Sequence, residues 1–213
     1  EVLTKVAAED ISAHVDEVKS EPLIAQLPKP GTVVSVGEDK LYGATVWTLS
    51  NGIKVVFKHT DFKDDEILFM ATANGGTSVY GADDDLNLRF LPIAILQSGL
   101  GSYTNSDLSK YLAGKQASVS VTLDDYARSV SGSCVVKDLP SLMELIYMTF
   151  TAYNITPDEF ASTQNVYTGA LQNQEANPEY QFGKGFQMDT YVSPRNYAVD
   201  VATIQNANRE RIL

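Results

Sequence analysis

The chain has 213 residues, 44% of them hydrophobic and 20% charged, and 16 basic against 27 acidic residues leave a net charge of −11. That length admits one large domain, or one domain with an appendage. A field of that sign repels nucleic-acid backbones and anionic membrane surfaces, and no apolar run is long enough to cross a bilayer. One cysteine, Cys134, excludes an intrachain disulfide. The N-terminus is too polar for a signal peptide, and Glu1 rather than a methionine reads as the start of an excised piece.

In chain order, Val2, Val6, Val15 and Val18 fall near helical spacing with charges between them, which predicts a helix over the first twenty residues. Pro22, Pro28 and Pro30 then mark an extended, semi-rigid stretch. Residues 1–40 are therefore expected to be a linker helix with a proline-rich tether, and residues 41–213 the domain. From Ala44, A-T-V-W-T-L-S, Asn51-Gly52 and I-K-V-V-F-K-H-T predict a hairpin closed by a type I′ turn. E-I-L-F-M-A-T-A-N is a further strand, ended by Gly75-Gly76. L-N-L-R-F-L-P-I-A-I-L-Q, launched by Asp83 to Asp85, predicts a buried helix, with Pro92 tolerated if it falls in the first turns.

T-N-S-D-L-S-K-Y-L-A-G reads as a short capped helix ended by Gly114. K-Q-A-S-V-S-V-T-L and Y-A-R-S-V-S-G-S-C-V alternate as a strand pair about Asp124-Asp125. Helices follow: K-D-L-P-S-L-M-E-L-I-Y-M-T-F, one starting at Pro157, one from Pro178 to about Tyr191, and V-A-T-I-Q-N-A-N-R-E-R-I-L. Hairpins rather than βαβ units give the class α+β, an antiparallel sheet with helices packed on one face.

Catalytic zinc needs three protein ligands, usually with two histidines a helical turn apart. The two histidines present, His14 and His59, lie 45 positions apart, and neither has a histidine partner nearby. Asp83-x-Asp85-x-Asn87 begins like a calcium loop, but Leu88 and Ala94 stand where that loop needs glycine and glutamate. The aspartates read instead as charges at a helix start. Cys134 sits in an expected strand with no histidine near it in sequence, a buried thiol rather than a nucleophile. Gly99-x-Gly101 lacks the third glycine of a dinucleotide loop and follows no strand. The acidic pairs Asp64-Asp65 and Asp124-Asp125 fall at turns, and Asn154-Ile155-Thr156 is a bare sequon. Taken one by one, these residues define no self-sufficient active site.

T-L-S-N-G-I-K-V-V-F-K-H-T, D-F-K-D-D-E-I-L-F-M-A-T-A-N-G-G-T-S, L-Q-S-G-L-G-S-Y-T-N-S-D-L-S-K-Y-L-A-G-K, V-K-D-L-P-S-L-M-E-L-I-Y-M-T-F and A-N-P-E-Y-Q-F follow one another over some 170 positions. In that succession the chain resembles half of a pitrilysin/insulinase-type zinc metallopeptidase, the superfamily that includes mitochondrial processing peptidase. The resemblance implies duplicated halves closing around a substrate chamber, with zinc held in the first half by H-x-x-E-H on a helix. Against Gly99, the matching positions here are Arg89, Pro92 and Ile93 in one register, and Phe90, Ile93 and Ala94 in the other. Neither register can ligate a metal, and Glu175 lies just beyond the place of the downstream glutamate ligand. The resemblance thus assigns this chain no catalytic or metal residue.

It implies a silent domain of the second half, with residues 1–40 as the tether between halves and a last domain expected from R-E-R-I-L onward. Zinc would then sit in the first half of the parent protein, and unfolded peptides would be the substrates. The partner would be the zinc-bearing half or a homologous subunit, and the bacterial envelope, the periplasm, the place. Two alternatives stay open: a domain of a wholly non-catalytic binding or assembly subunit beside an active partner, and an independent ligand-binding domain.

Overall fold

Apolar residues alternate strictly with serine and threonine over 117–123, which gives a strand one core-facing side. The computed structural model describes Lys19 and residues 21–213. The helix expected over the first twenty residues, and His14 within it, lie outside the described residues.

The order is β1 (Val33–Asp39), β2 (Ala44–Leu49), β3 (Lys54–Phe57), β4 (Glu66–Asn74), α1 (Asp85–Gln97), β5 (Gly99–Leu100) and α2 (Asn105–Tyr111). Then come β6 (Ala117–Leu123), β7 (Ala127–Val135), α3 (Leu139–Thr151), β8 (Tyr153–Asn154), α4 (Pro157–Glu175), α5 (Pro178–Thr190), α6 (Val201–Asn206) and α7 (Arg209–Ile212). All strand pairs are antiparallel, so the molecule is α+β as expected. The strands form three sheets, β1-β2-β3, β4-β7-β6 and the small pair β5-β8.

Period-two alternation gives the sheet β4-β7-β6 two unlike faces. Val119 and Val130 point toward α3, where Leu142 and Leu145 are buried. The opposite face carries Ser118, Ser120 and Thr122 on β6, paired with Ser133, Ser131 and Ser129 on β7. Hydroxyls link across it, Ser118 to Ser133 at 3.2 Å and Ser129 to Thr72 at 3.3 Å. Such cross-strand pairs add a few tenths of a kcal/mol each, about 0.2–1. Gly76 lets the chain leave β4, because a Cβ there would lie 1.9 Å from the Asp124 carbonyl oxygen.

Two apolar clusters hold the helices. Phe90, Ala94, Ile155, Phe160, Ile204 and Ala207 form one, with the Phe90 and Phe160 rings edge to face at 5.6 Å. Leu23, Leu100, Tyr103, Leu145 and Met148 form the other. Helix starts follow the sequence. Thr104 and Asp107 make a capping box on α2, as do Thr156 and Glu159 on α4, where Pro157 takes the first helical position.

Several details differ from the sequence reading. The hairpin β2-β3 forms, but its turn is not type I′: among the described residues no non-glycine has positive φ, and Gly52 (φ 85) alone supplies it here. Leu49 N–H reaches the Ile53 carbonyl at 2.8 Å, and the Asn51 carboxamide oxygen accepts from Ile53 N–H at 3.1 Å. The loop is therefore 50–52, one residue longer, and a longer loop needs only one left-handed residue. Pro92 is the eighth residue of α1, well past its first turns, so the Leu88 carbonyl lacks its usual helical donor. The last expected helix is broken into α6 and α7 at Ala207 and Asn208. β1 forms within the stretch that proline density marks as tether.

Candidate functional site

The place to look for chemistry is α1, where the resemblance would set a metal-binding helix. An apolar stripe turns Phe90 (0% exposed) and Ala94 (1%) into the first cluster, where α4 and α6 close over them. Ile93 is partly buried against the same cluster. Both ligand positions of the second register are thus core.

The first register begins at Arg89, whose guanidinium is turned into the protein. Its Nη2 donates to the Ala198 carbonyl oxygen and lies 3.9 Å from the Asp200 carboxylate. Its Nε is buried with no hydrogen-bond partner among the described residues. Asp200 caps α6, accepting from Thr203 N–H at 2.7 Å and from the Thr203 hydroxyl at 2.6 Å. Burial alone would raise that carboxyl, but the Thr203 bonds, then Arg89 and Lys184, outweigh it and hold it below the ordinary aspartate value. Pro92, at the place of the glutamate, is exposed. Glu175 ends α4 paired to Lys184 at 3.2 Å.

The acidic run before α1 serves packing in a way that the sequence does not announce. Arg195 reaches back about 110 positions to Asp85, with Nε at 2.6 Å and Nη2 at 2.5 Å from the same carboxylate oxygen. The same guanidinium donates to the carbonyl oxygens of Thr77, of Tyr80 at 3.0 Å and of Gly81 at 3.2 Å. Arg211 pairs with Asp84 at 2.6 Å, and Asn208 N–H donates to the Asn87 side chain at 2.8 Å. Besides standing at the helix start, Asp84 and Asp85 therefore anchor the C-terminal segment, a role that needs the tertiary partner to be seen.

Beside α1 lies a cavity of about 350 Å³, lined by Tyr80, Leu88, Leu91, Leu123 and the Asp84–Arg211 pair. Its ionic groups are engaged, Asp84 with Arg211 and Glu210, also in the lining, with Arg209. Among the described residues no cluster of three or more His, Cys, Asp or Glu side chains could hold a metal ion. His59 is exposed, at a strand end. Cys134 is buried in β7, and burial pushes its thiol upward, away from reactivity. Among the described residues no helix is long and apolar enough to cross a membrane.

The chain is thus an α+β domain of antiparallel strands and helices, in which α1 turns Phe90 and Ala94 into the core. No family model matches the chain. It is 29% identical over 139 residues to the zinc protease PQQL-like protein of Arabidopsis thaliana, covering 65% of this chain and 12% of that protein. It is 23% identical over 166 residues to the probable zinc protease PqqL of Escherichia coli, covering 78% of this chain and 18% of that protein. The crystal structure of the periplasmic protease PqqL from Escherichia coli matches 98% of this chain at a TM-score of 0.73 and 20% identity, over 23% of its own length. The ferredoxin protease FusC, solved with Arabidopsis ferredoxin, matches 98% of this chain and 23% of its own at 0.70 and 19% identity. A peptidase M16 inactive domain from Pseudomonas fluorescens matches 79% of this chain and 42% of its own at 0.61 and 15% identity. In sequence the chain is similar to these zinc proteases, and its fold is shared by the solved proteases and by the peptidase M16 inactive domain. It spans 12% and 18% of the length of these two curated relatives.

Proposed function

We propose that this chain is a catalytically silent domain from the C-terminal half of a zinc metallopeptidase, and that it forms part of the wall of a chamber holding unfolded peptides. The zinc would be carried by the first half of the parent protein. The observation that carries the reading is the filling of both motif registers on α1: Phe90 and Ala94 are sealed in the core, and Arg89 is bonded to the Ala198 backbone. Zinc-protease relatives support a metal in the parent, and the complex of FusC with ferredoxin supports a polypeptide substrate. The likeness to periplasmic PqqL supports a periplasmic location.

Within the domain, the face that would meet peptide is the hydroxyl-lined side of β4-β7-β6, opposite the helices. Serine and threonine hydroxyls on β6 and β7 there offer donors and acceptors without selecting a charge, and Leu68 and Met70 of β4, opposite Ser133 and Ser131, add apolar surface to the same face. To test the reading, zinc content and chelator-sensitive peptide cleavage are measured for the 213-residue chain and for its parent. The expected result is zinc and cleavage in the parent and neither in the chain alone. Stoichiometric zinc with chelator-sensitive proteolysis by the 213 residues alone would overturn it.

A further inference from the structure

Helix α5 turns its polar side inward. Tyr180, Lys184 and Gln187, spaced as one helical face, are its only partly buried positions, and it buries no residue fully. Each of the three makes one polar tie. The Tyr180 hydroxyl donates to the Val199 carbonyl at 3.4 Å, Lys184 pairs with Glu175 at 3.2 Å, and the Gln187 side-chain oxygen accepts from Ala198 N–H at 3.0 Å. The apolar residues point the other way, with Phe182 76% and Phe186 62% exposed. A helix is held on a protein mostly by burying its apolar face, and α5 lacks that hold.

Gly183 and Gly185 weaken the helix further. Neither has positive φ, and a Cβ at either would meet nothing within 4 Å, so no turn or close contact requires glycine there. Each makes the helix about fivefold less favourable than alanine would. The ends of the segment, by contrast, are fixed. The Asn177 side chain caps the first turn, accepting from Glu179 N–H at 2.9 Å. Beyond the last turn, Arg195 is fastened to Asp85 and to the carbonyls of Thr77, Tyr80 and Gly81.

The ties converge on Ala198. Gln187 of α5 holds its N–H, Arg89 of α1 holds its carbonyl oxygen, and Tyr180 holds the next residue, Val199. The Arg89 side chain is 12% exposed, and its buried Nε has no hydrogen-bond partner among the described residues. A buried donor left unpaired favours any state in which water can reach it.

We propose that α5 is a latch with two states: it opens as a unit between fixed ends at Asn177 and Arg195, and its opening frees the 198–199 backbone and, through it, the Arg89 guanidinium. The closed state is the one described above. The two glycines and the unpaired Nε keep the open state close to it in free energy, and the open state presents on α1 a guanidinium that the closed state hides. The latch requires no zinc, so it stands or falls apart from the peptidase reading.

The test is made on the longest natural polypeptide that contains residues 1–213. Hydrogen–deuterium exchange compares α5 with α4, which buries Phe160 and Thr163. Phenylglyoxal, which modifies guanidinium groups that solvent reaches, reads Arg89 against the exposed Arg128. The α5 amides are expected to exchange about 100-fold or more faster than those of α4, and Arg89 to react measurably but well behind Arg128. Gly183→Ala with Gly185→Ala, which favours the closed helix, is expected to slow both readings together by about tenfold or more, and Gln187→Ala to quicken both about threefold or more. Any of three outcomes would overturn the proposal: α5 amides as slow as those of α4, Arg89 as reactive as Arg128 in the unaltered chain, or α5 exchange that responds to these substitutions while Arg89 reactivity does not.

Discussion

Phe90 and Ala94 decide what α1 can do. A metal-binding histidine needs its ring aimed into a solvent-reachable cleft, with a hydrogen-bond partner on its other nitrogen to orient it. Phe90 instead meets Phe160 edge to face, and Ala94 leaves room only for the small side chain it has. Arg89 shows the same commitment in polar form, its charge spent on the Ala198 carbonyl and on Asp200 rather than held free for substrate. Installing histidine at both core positions would therefore bury two imidazoles without partners and break the ring contact. The Phe90→His, Ala94→His variant is expected to lose roughly 4 kcal/mol of stability, within the range for losing a buried phenylalanine. Urea titration with and without zinc measures it. The expected midpoint falls and does not recover with zinc, whereas a zinc-dependent rise would mean that the helix can still present ligands.

At the scale of elements, α1 carries a cost that its neighbours offset. Pro92 removes a donor in mid-helix, and its ring is exposed. The helix persists because its buried face outweighs one lost bond. Pro92→Ala is expected to stabilise by about 1–2 kcal/mol, less than the full interior proline cost because alanine also frees the unfolded chain. A raised thermal midpoint with unchanged circular dichroism would confirm it; a drop would show that the missing donor at Leu88 serves some purpose. The sequence disclosed this element and most others because period and caps are local: alternation over 117–123, the capping boxes at Thr104 and Thr156, Pro157 at a helix start. It did not disclose the length of the loop at 50–52, since Asn-Gly serves a three-residue loop as well as a two-residue one. The break at Ala207 and Asn208 was equally hidden, because Asn208 is spent on capping α7 while its own N–H bonds Asn87. Asp84 and Asp85 revealed their charge but not Arg211 and Arg195, which lie more than a hundred positions away.

At the scale of the molecule, the open question in the sequence was how the proline-rich stretch relates to the domain. Proline density predicts chain extension and says nothing about what the intervening side chains touch. Leu23, 5% exposed, fills a place among Leu100, Tyr103, Leu145 and Met148, so one leucine in a tether-like sequence is part of the second core. Polar contacts flank it. Tyr103 donates its hydroxyl to the Glu21 carbonyl at 2.5 Å, and Lys19 pairs with Asp107 at 3.0 Å while lying over the Tyr103 ring. Ten residues on, the chain re-enters as β1 against β2. Lys19 and residues 21–24 are therefore clamped to the helices, and 25–32 span between two anchored points. The two kinds of anchor differ in worth. Leu23→Ala empties a packed site and is expected to cost about 2–3 kcal/mol, whereas Lys19→Ala removes a partly exposed ion pair and is expected to cost under about 1 kcal/mol. If the apolar plug is what holds the segment, Leu23→Ala also speeds limited proteolysis within 25–32 several-fold under conditions that leave β4-β7-β6 intact, and Lys19→Ala does not. Equal cleavage rates for Leu23→Ala and the unaltered chain would mean that the pairing of β1 with β2 alone fixes this stretch, and that Leu23 contributes to the core without fastening the tether.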